Sequence, residues 1–165
     1  RRAPGAARSS QRHRSGGRDN GRMYQPSQLD VRRFFCATYR AGMAGAVLDP
    51  MQRLAWPWIE AHPEYHAELT DEASALALDY RVEDGHTNPF LHLAMHLSIS
   101  EQCSIDQPSG IRQAVQLLAA QRNSEHEAHH VAMEALGQMI WESQRSGRPP
   151  DGLAYLEAVR RAATR

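Results

Sequence analysis

Histidine residues occur in this chain in pairs that are spaced one helical turn apart. His92 and His96 form one pair, and His126 and His130 form the other. Residues four positions apart lie on the same face of an α-helix, so each pair can direct two imidazoles at a single ion. Neutral imidazole is the commonest protein ligand for metals. The spacing therefore predicts a metal site formed by two helices.

The positions of these histidines on their helices favour a site inside the protein. His126 and His130 fall in the middle of the apolar arc of their predicted helix, with Met133 and Leu136 on the same arc. The helix that carries His92 and His96 is apolar on nearly every side. A buried polar group needs a partner, and a divalent cation would supply one to all four rings.

Glutamates at the edge of the same arc extend the predicted ligand set. Glu134 is predicted to complete it, and Glu127 is an alternative as a ligand or as an acceptor that orients a ring. The predicted metal ligands are thus His92, His96, His126, His130 and Glu134. Among the transition metals that suit such ligands, zinc and iron are favoured.

The sequence predicts helices around these residues, and no stretch shows the alternation of apolar and polar residues that is typical of a β-strand. Capping residues mark predicted helix starts at Ser27, Asp49, Asp71, Asn88, Ser124 and Asp151. Pro50 and Pro89 follow two of these caps directly, as is typical of the first helical position, whereas Pro57 is predicted to interrupt its helix. We expect an all-α bundle of about six to seven helices. Two long helices, 89–103 and 124–145, would form its centre.

The charge is unevenly distributed along the 165 residues. Residues 1–22 carry seven Arg and one acidic residue, and the remainder carries twelve Arg against eighteen acidic residues, with no Lys in the chain. The first 22 residues are therefore predicted to be a disordered tail, with Met23 as the true start and 23–165 as a single domain. An RNA-binding or transit-like arm is the alternative. Residues 23–165, which carry more acidic residues than Arg, are predicted to bind nucleic acid poorly.

The lengths of the apolar segments and the number of cysteines indicate where in the cell the protein is expected. No run of residues approaches the length of a membrane span, and the two cysteines, Cys36 and Cys103, form no disulfide framework. A cytoplasmic location is expected, with no nucleic-acid or membrane partner. Cys103 is interpreted as a small buried hydrophobe. A small-molecule substrate and the oligomeric state, including a homo-oligomer, stay open.

Other interpretations of the histidines remain. The letters from His126 to His130 match H-E-x-x-H, in which Glu127 would serve a metal-dependent hydrolase as general base. Glu127 and His130 also match half of a di-iron signature. His62 and His66 form a third near-pair, but Pro63 favours a capping role for His62. A metal-free helical interaction protein is the main alternative, with the rings satisfied by carboxylates and backbone groups.

Several motifs resemble those of one protein family. The segments V-R-R-F-F, H-P-E-Y-H, N-P-F-L-H-L-A-M-H-L-S-I-S-E-Q, S-I-D-Q-P-S-G-I and E-H-E-A-H-H-V-A-M-E resemble an uncharacterised bacterial family, domain-of-unknown-function family 1841. The resemblance covers about residues 23–160. It implies a bacterial, cytoplasmic protein that begins near Y-Q-P-S, and it carries no activity with it.

Overall fold

The computed structural model describes residues 27–80 and 87–165, and within them every regular element is a helix. There are eight α-helices and one short 3-10 helix, Pro63–Tyr65. The α-helices are α1 (Gln28–Met43), α2 (Pro50–Ala61), α3 (His66–Thr70), α4 (Glu72–Ala77), α5 (Pro89–Ile105), α6 (Ile111–Arg122), α7 (Glu125–Ser146) and α8 (Gly152–Ala163). The all-α prediction is confirmed. The predicted tail and Met23 lie outside the described residues.

Side-chain caps begin most of these helices where the sequence predicts them. Asp49 accepts a hydrogen bond from the backbone N–H of Gln52, whose side chain bonds back to Asp49. Asn88 accepts from the backbone N–H groups of Phe90 and Leu91 at the start of α5. Ser27, Asp71, Ser124 and Asp151 cap α1, α4, α7 and α8 in the same way. These bonds satisfy amides that a helix start otherwise leaves without partners.

Pro57 does not interrupt α2, contrary to the sequence prediction. The helix continues through it to Ala61. A proline inside a helix costs about 3 kcal/mol. Pro57 is itself exposed, while its neighbours Ala55, Trp58 and Ile59 are buried on the other side of α2. We attribute the continuity of α2 to the burial of those side chains, which also brings the end of the helix to the site described below.

Two clusters of buried side chains share helix α5. Phe90 and Leu93 of α5 belong to a cluster formed with α1 to α4, and Ile99 belongs to a cluster formed with α6 to α8. The predicted long helices, α5 and α7, contain 17 and 22 residues and contact each other. The histidine pairs thus lie at the junction of the two clusters. Within the described residues, no helix is both long and apolar enough to traverse a membrane.

Candidate metal centre

Five histidines from three helices form a compact group at the junction of α2, α5 and α7. They are His62, His92, His96, His126 and His130. His62 is the C-terminal cap residue of α2, and the other four lie within α5 and α7. One nitrogen from each ring lies within 4.8 Å of one nitrogen from every other ring. This arrangement could hold a cation.

The same ring atom, Nε2, makes each of the close contacts inside the group. Nε2 of His62 is 3.1 Å from Nε2 of His96 and 3.0 Å from Nε2 of His126. Nε2 of His130 is 3.2 Å from Nε2 of His92. In these three contacts the rings face one another through equivalent atoms.

Two of the rings have separate partners on their other nitrogen. Nδ1 of His62 is 2.7 Å from a carboxylate oxygen of Glu64, and Nδ1 of His96 is 3.3 Å from Nδ1 of His129. Partial burial raises the pKa of Glu64, but hydrogen bonds from the His62 ring and from its own backbone lower it overall. An ionised carboxylate can only accept, so Nδ1 of His62 carries the hydrogen, and in the neutral ring the lone pair is then on Nε2.

Trp58 closes the inner side of the group. Its indole ring stacks on the His96 ring with centroids 4.2 Å apart and planes 10° apart, and it lies 4.0 Å from the His129 ring. The indole N–H donates to the Ser100 hydroxyl at 2.7 Å. Because Trp58 is only 7% exposed, these contacts fix the orientation of His96.

Exposure of the rings to solvent increases from one side of the group to the other. His62 and His96 are buried, His92 and His126 are half-buried, and His130 is exposed. Burial and the neighbouring histidines lower the pKa of His92, His96, His126 and His130, and that of His92 falls to about 4. The charges of Glu64 and Glu127 act in the opposite direction on His126. Neutral rings with free lone pairs are the form that binds metals.

The buried histidine beside the group predicts a loss of stability in acid. Burial, with the charges of His126 and His130, lowers the pKa of His129 from 6.5 to about 4. Above pH 6.5 the ring is neutral in both states and adds nothing. As the pH falls below that value the unfolded chain takes up the proton first, so by about pH 5 this ring alone lowers the free energy of unfolding by about 2 kcal/mol.

Urea unfolding of chelator-treated protein between about pH 7.5 and pH 5 measures this effect. The His129→Gln variant is the control, because it removes the titrating ring. A wild-type unfolding free energy that falls no more than that of the variant would contradict the assignment.

The structure brings four of the five predicted ligands together and leaves the fifth elsewhere. His92, His96, His126 and His130 are in the group, and Glu134 is not. Glu134 is exposed and lines a surface depression with Arg122 and Arg161, toward α6 and α8. Glu127 and Cys103 also lie outside the group, so among the described residues no carboxylate or thiol belongs to it. A carboxylate-bridged di-iron site is therefore absent from the described residues.

For His62 the sequence favours a cap on the helix that follows and leaves its place in a metal site open; the structure brings it into the group. Its side chain makes no capping bond to the following 3-10 helix, and its backbone, with φ of −124° and ψ of 65°, ends α2 instead. The H-P-E-Y-H segment was the only sequence signal for it. His66, the other member of that near-pair, bonds the Ile59 carbonyl at 2.7 Å and lies outside the group.

The buried face of α7 also differs from the prediction. Its centre is formed by Ala128, His129, Ala132 and Leu136, rather than by His126 and His130. This face of α7 packs on α6 and α8 in the second core cluster. His126 and His130 lie instead at the seam with α5, which explains their greater exposure.

Comparisons with known proteins identify the family of the chain. No curated protein and no solved structure matched it. The sequence model of one family, described as domain of unknown function (DUF1841), matches residues 27–161. That range contains all five clustered histidines together with Trp58, Glu64 and His129. The chain therefore belongs to the DUF1841 family.

Proposed function

We propose that this protein binds one divalent transition metal ion through Nε2 of His62, His92, His96, His126 and His130. The observation that carries the proposal is the convergence of five ring nitrogens, one from each histidine, within 4.8 Å of one another. The proposal replaces Glu134 with His62 in the predicted ligand set. Glu64 and His129 take the supporting role of holding ligand rings by their Nδ1 atoms.

Hydrogen bonding within the group is a poor alternative, because the rings supply too few lone pairs. A neutral imidazole has one N–H and one lone pair. With Nδ1 of His62 donating to Glu64, the single lone pair on Nε2 faces two ring nitrogens, those of His96 and His126. It can accept only one well-aligned hydrogen bond. A cation between the rings removes the conflict, because each lone pair then points at the ion.

The spacing of the nitrogens suits one ion with more than four ligands. With bonds of about 2.1 Å, adjacent ligands of an octahedral ion lie about 3.0 Å apart, and those of a tetrahedral ion about 3.4 Å. The close Nε2 pairs are 3.0 to 3.2 Å apart. Structural zinc sites usually have four ligands, whereas iron and nickel accept five or six. Of zinc and iron, a set of five nitrogen ligands favours iron.

Metal content of untagged protein tests the proposal. Protein made in medium containing iron, nickel, copper and zinc should contain about one equivalent of one transition metal by elemental analysis. The His96→Gln variant should contain less than about 0.2 equivalents. The matched control is His66→Gln, which alters a nearby histidine outside the group and should keep the wild-type content. Wild-type protein without metal, which also takes up none when supplied, would refute the proposal.

Glu64 provides a milder test of the same site. In Glu64→Gln the amide is a weaker acceptor than the carboxylate for Nδ1–H of His62, so the ligand ring is less basic and less firmly oriented. We expect metal affinity to fall by about 10-fold, with little change in stability, because the Glu64 side chain is 57% exposed. A competition titration with a coloured chelator measures the affinity. Unchanged affinity would mean that Glu64 does not support the ligand.

A further inference from the structure

The ligand group leaves a bound divalent ion with its full charge. All five proposed ligands are imidazoles, which bind a metal in their neutral form, and within residues 27–80 and 87–165 no carboxylate or thiolate belongs to the group. Glu64 bonds a ligand ring, and it contacts Nδ1 of His62 rather than Nε2. An ion of charge two surrounded by neutral ligands attracts an anion strongly.

In the part of the chain that the structure describes, the group is covered on one side and exposed on another. Trp58 and His129 cover the buried face next to His96, and His62 is covered by the stacked ring of Tyr65 with centroids 5.0 Å apart. His130, by contrast, is exposed, and His92 and His126 are half-buried. Five ligands leave one position of an octahedral ion unfilled. The exposures place solvent access at the edge formed by His92, His126 and His130.

We propose that the bound ion holds one small monoanion from solvent at that edge, an inference that rests on the proposed metal binding. The charge of the ion supplies the attraction, and five imidazole ligands leave one of the six positions of an octahedral ion for an additional ligand atom. The two acidic side chains beside the opening, Glu64 and Glu127, are exposed and lie close enough to influence the histidines. The two carboxylates repel any anion that approaches the opening, and they repel phosphate more strongly than a monoanion because phosphate carries more negative charge.

Azide added to cobalt(II)-loaded protein tests the inference, since the visible absorption of cobalt(II) depends on its ligands and their number. Elemental analysis first establishes that about one equivalent of cobalt is bound. We expect a saturable change in the spectrum that fits one azide per cobalt, and no comparable change with inorganic phosphate at the same concentration. Removing one charge in Glu127→Gln should tighten azide binding by about twofold at low ionic strength. Glu134→Gln, a change on the same helix outside the group, should leave it unaltered.

The outcomes separate this inference from the metal site itself. Full cobalt loading with no spectral response to about 100 mM azide would overturn the anion site while leaving metal binding intact. Phosphate binding as tight as azide binding would overturn the preference for a small monoanion. Failure of any transition metal to bind would refute the proposed function, and the anion site with it.

Discussion

Replacing His96 with glutamine is expected to abolish the rise in melting temperature that a transition metal gives the wild-type protein. His96 is fully buried, its Nε2 faces the group, and its orientation is fixed by Trp58 on one side and His129 at Nδ1. A metal present at 100 times its dissociation constant stabilises a protein by about 2.7 kcal/mol. For a chain of this size that corresponds to about 5 to 10 °C. The variant should lose at least about 100-fold in affinity and hence nearly all of this gain.

For each variant the melting temperature with metal is compared with that of the same variant with chelator, so that any effect of the substitution on folding cancels. His66→Gln should retain the full gain, because His66 bonds a backbone carbonyl away from the group. His130→Gln offers a substitution at the exposed edge, where folding is least affected and the gain should shrink. If His96→Gln and wild type show equal metal-dependent shifts, His96 is not a ligand.

Truncating Trp58 is expected to produce the largest loss of stability among single changes at the site. Trp58→Ala removes a side chain that is 7% exposed, stacks on two buried histidines and bonds Ser100. Replacing a buried tryptophan with alanine costs about 3 to 5 kcal/mol. The cost should be fully visible in metal-free protein, because it arises from lost packing and from the histidine rings left without cover. Urea unfolding in the presence of a chelator measures it.

Trp141→Ala is the matched control for Trp58. Trp141 is 53% exposed and lies on α7 beyond the histidines, where Arg145 covers its ring at 5.0 Å. Its loss should cost less than about 1 kcal/mol. Trp58→Phe should lie between wild type and Trp58→Ala, since it keeps a ring but loses the N–H donor. Equal costs at Trp58 and Trp141 would contradict the role of Trp58 as the inner wall of the site.

Local signals explain why much of the fold was predictable from the sequence. A capping side chain satisfies amides of the turn that follows it, so the interaction lies within four residues of the chain, as at Asp49 and Asn88. The i,i+4 spacing of His92 with His96 and of His126 with His130 is equally local. These pairs could be assigned to one face each without knowing how the helices pack.

Tertiary packing decided the features that sequence reasoning missed. The cost of Pro57 is local, but the burial of Trp58 and Ile59 that accompanies the continuous α2 depends on contacts with other helices. His62 joins the group only because α2 ends against α5 and α7. Glu134 was placed by helical periodicity alone, which could not distinguish the side of α7 that faces α5 from the side that faces α6 and α8.

X-ray absorption spectroscopy of the metal-loaded protein tests the convergence of five imidazoles on one ion most directly. The absorption edge identifies the metal, and the scattering beyond it counts light ligand atoms and distinguishes imidazole by its outer ring atoms. We predict five imidazole nitrogens at about 2.1 Å and one further light atom. An ion with two or fewer imidazoles, or with a sulfur ligand, would contradict a centre built from His62, His92, His96, His126 and His130.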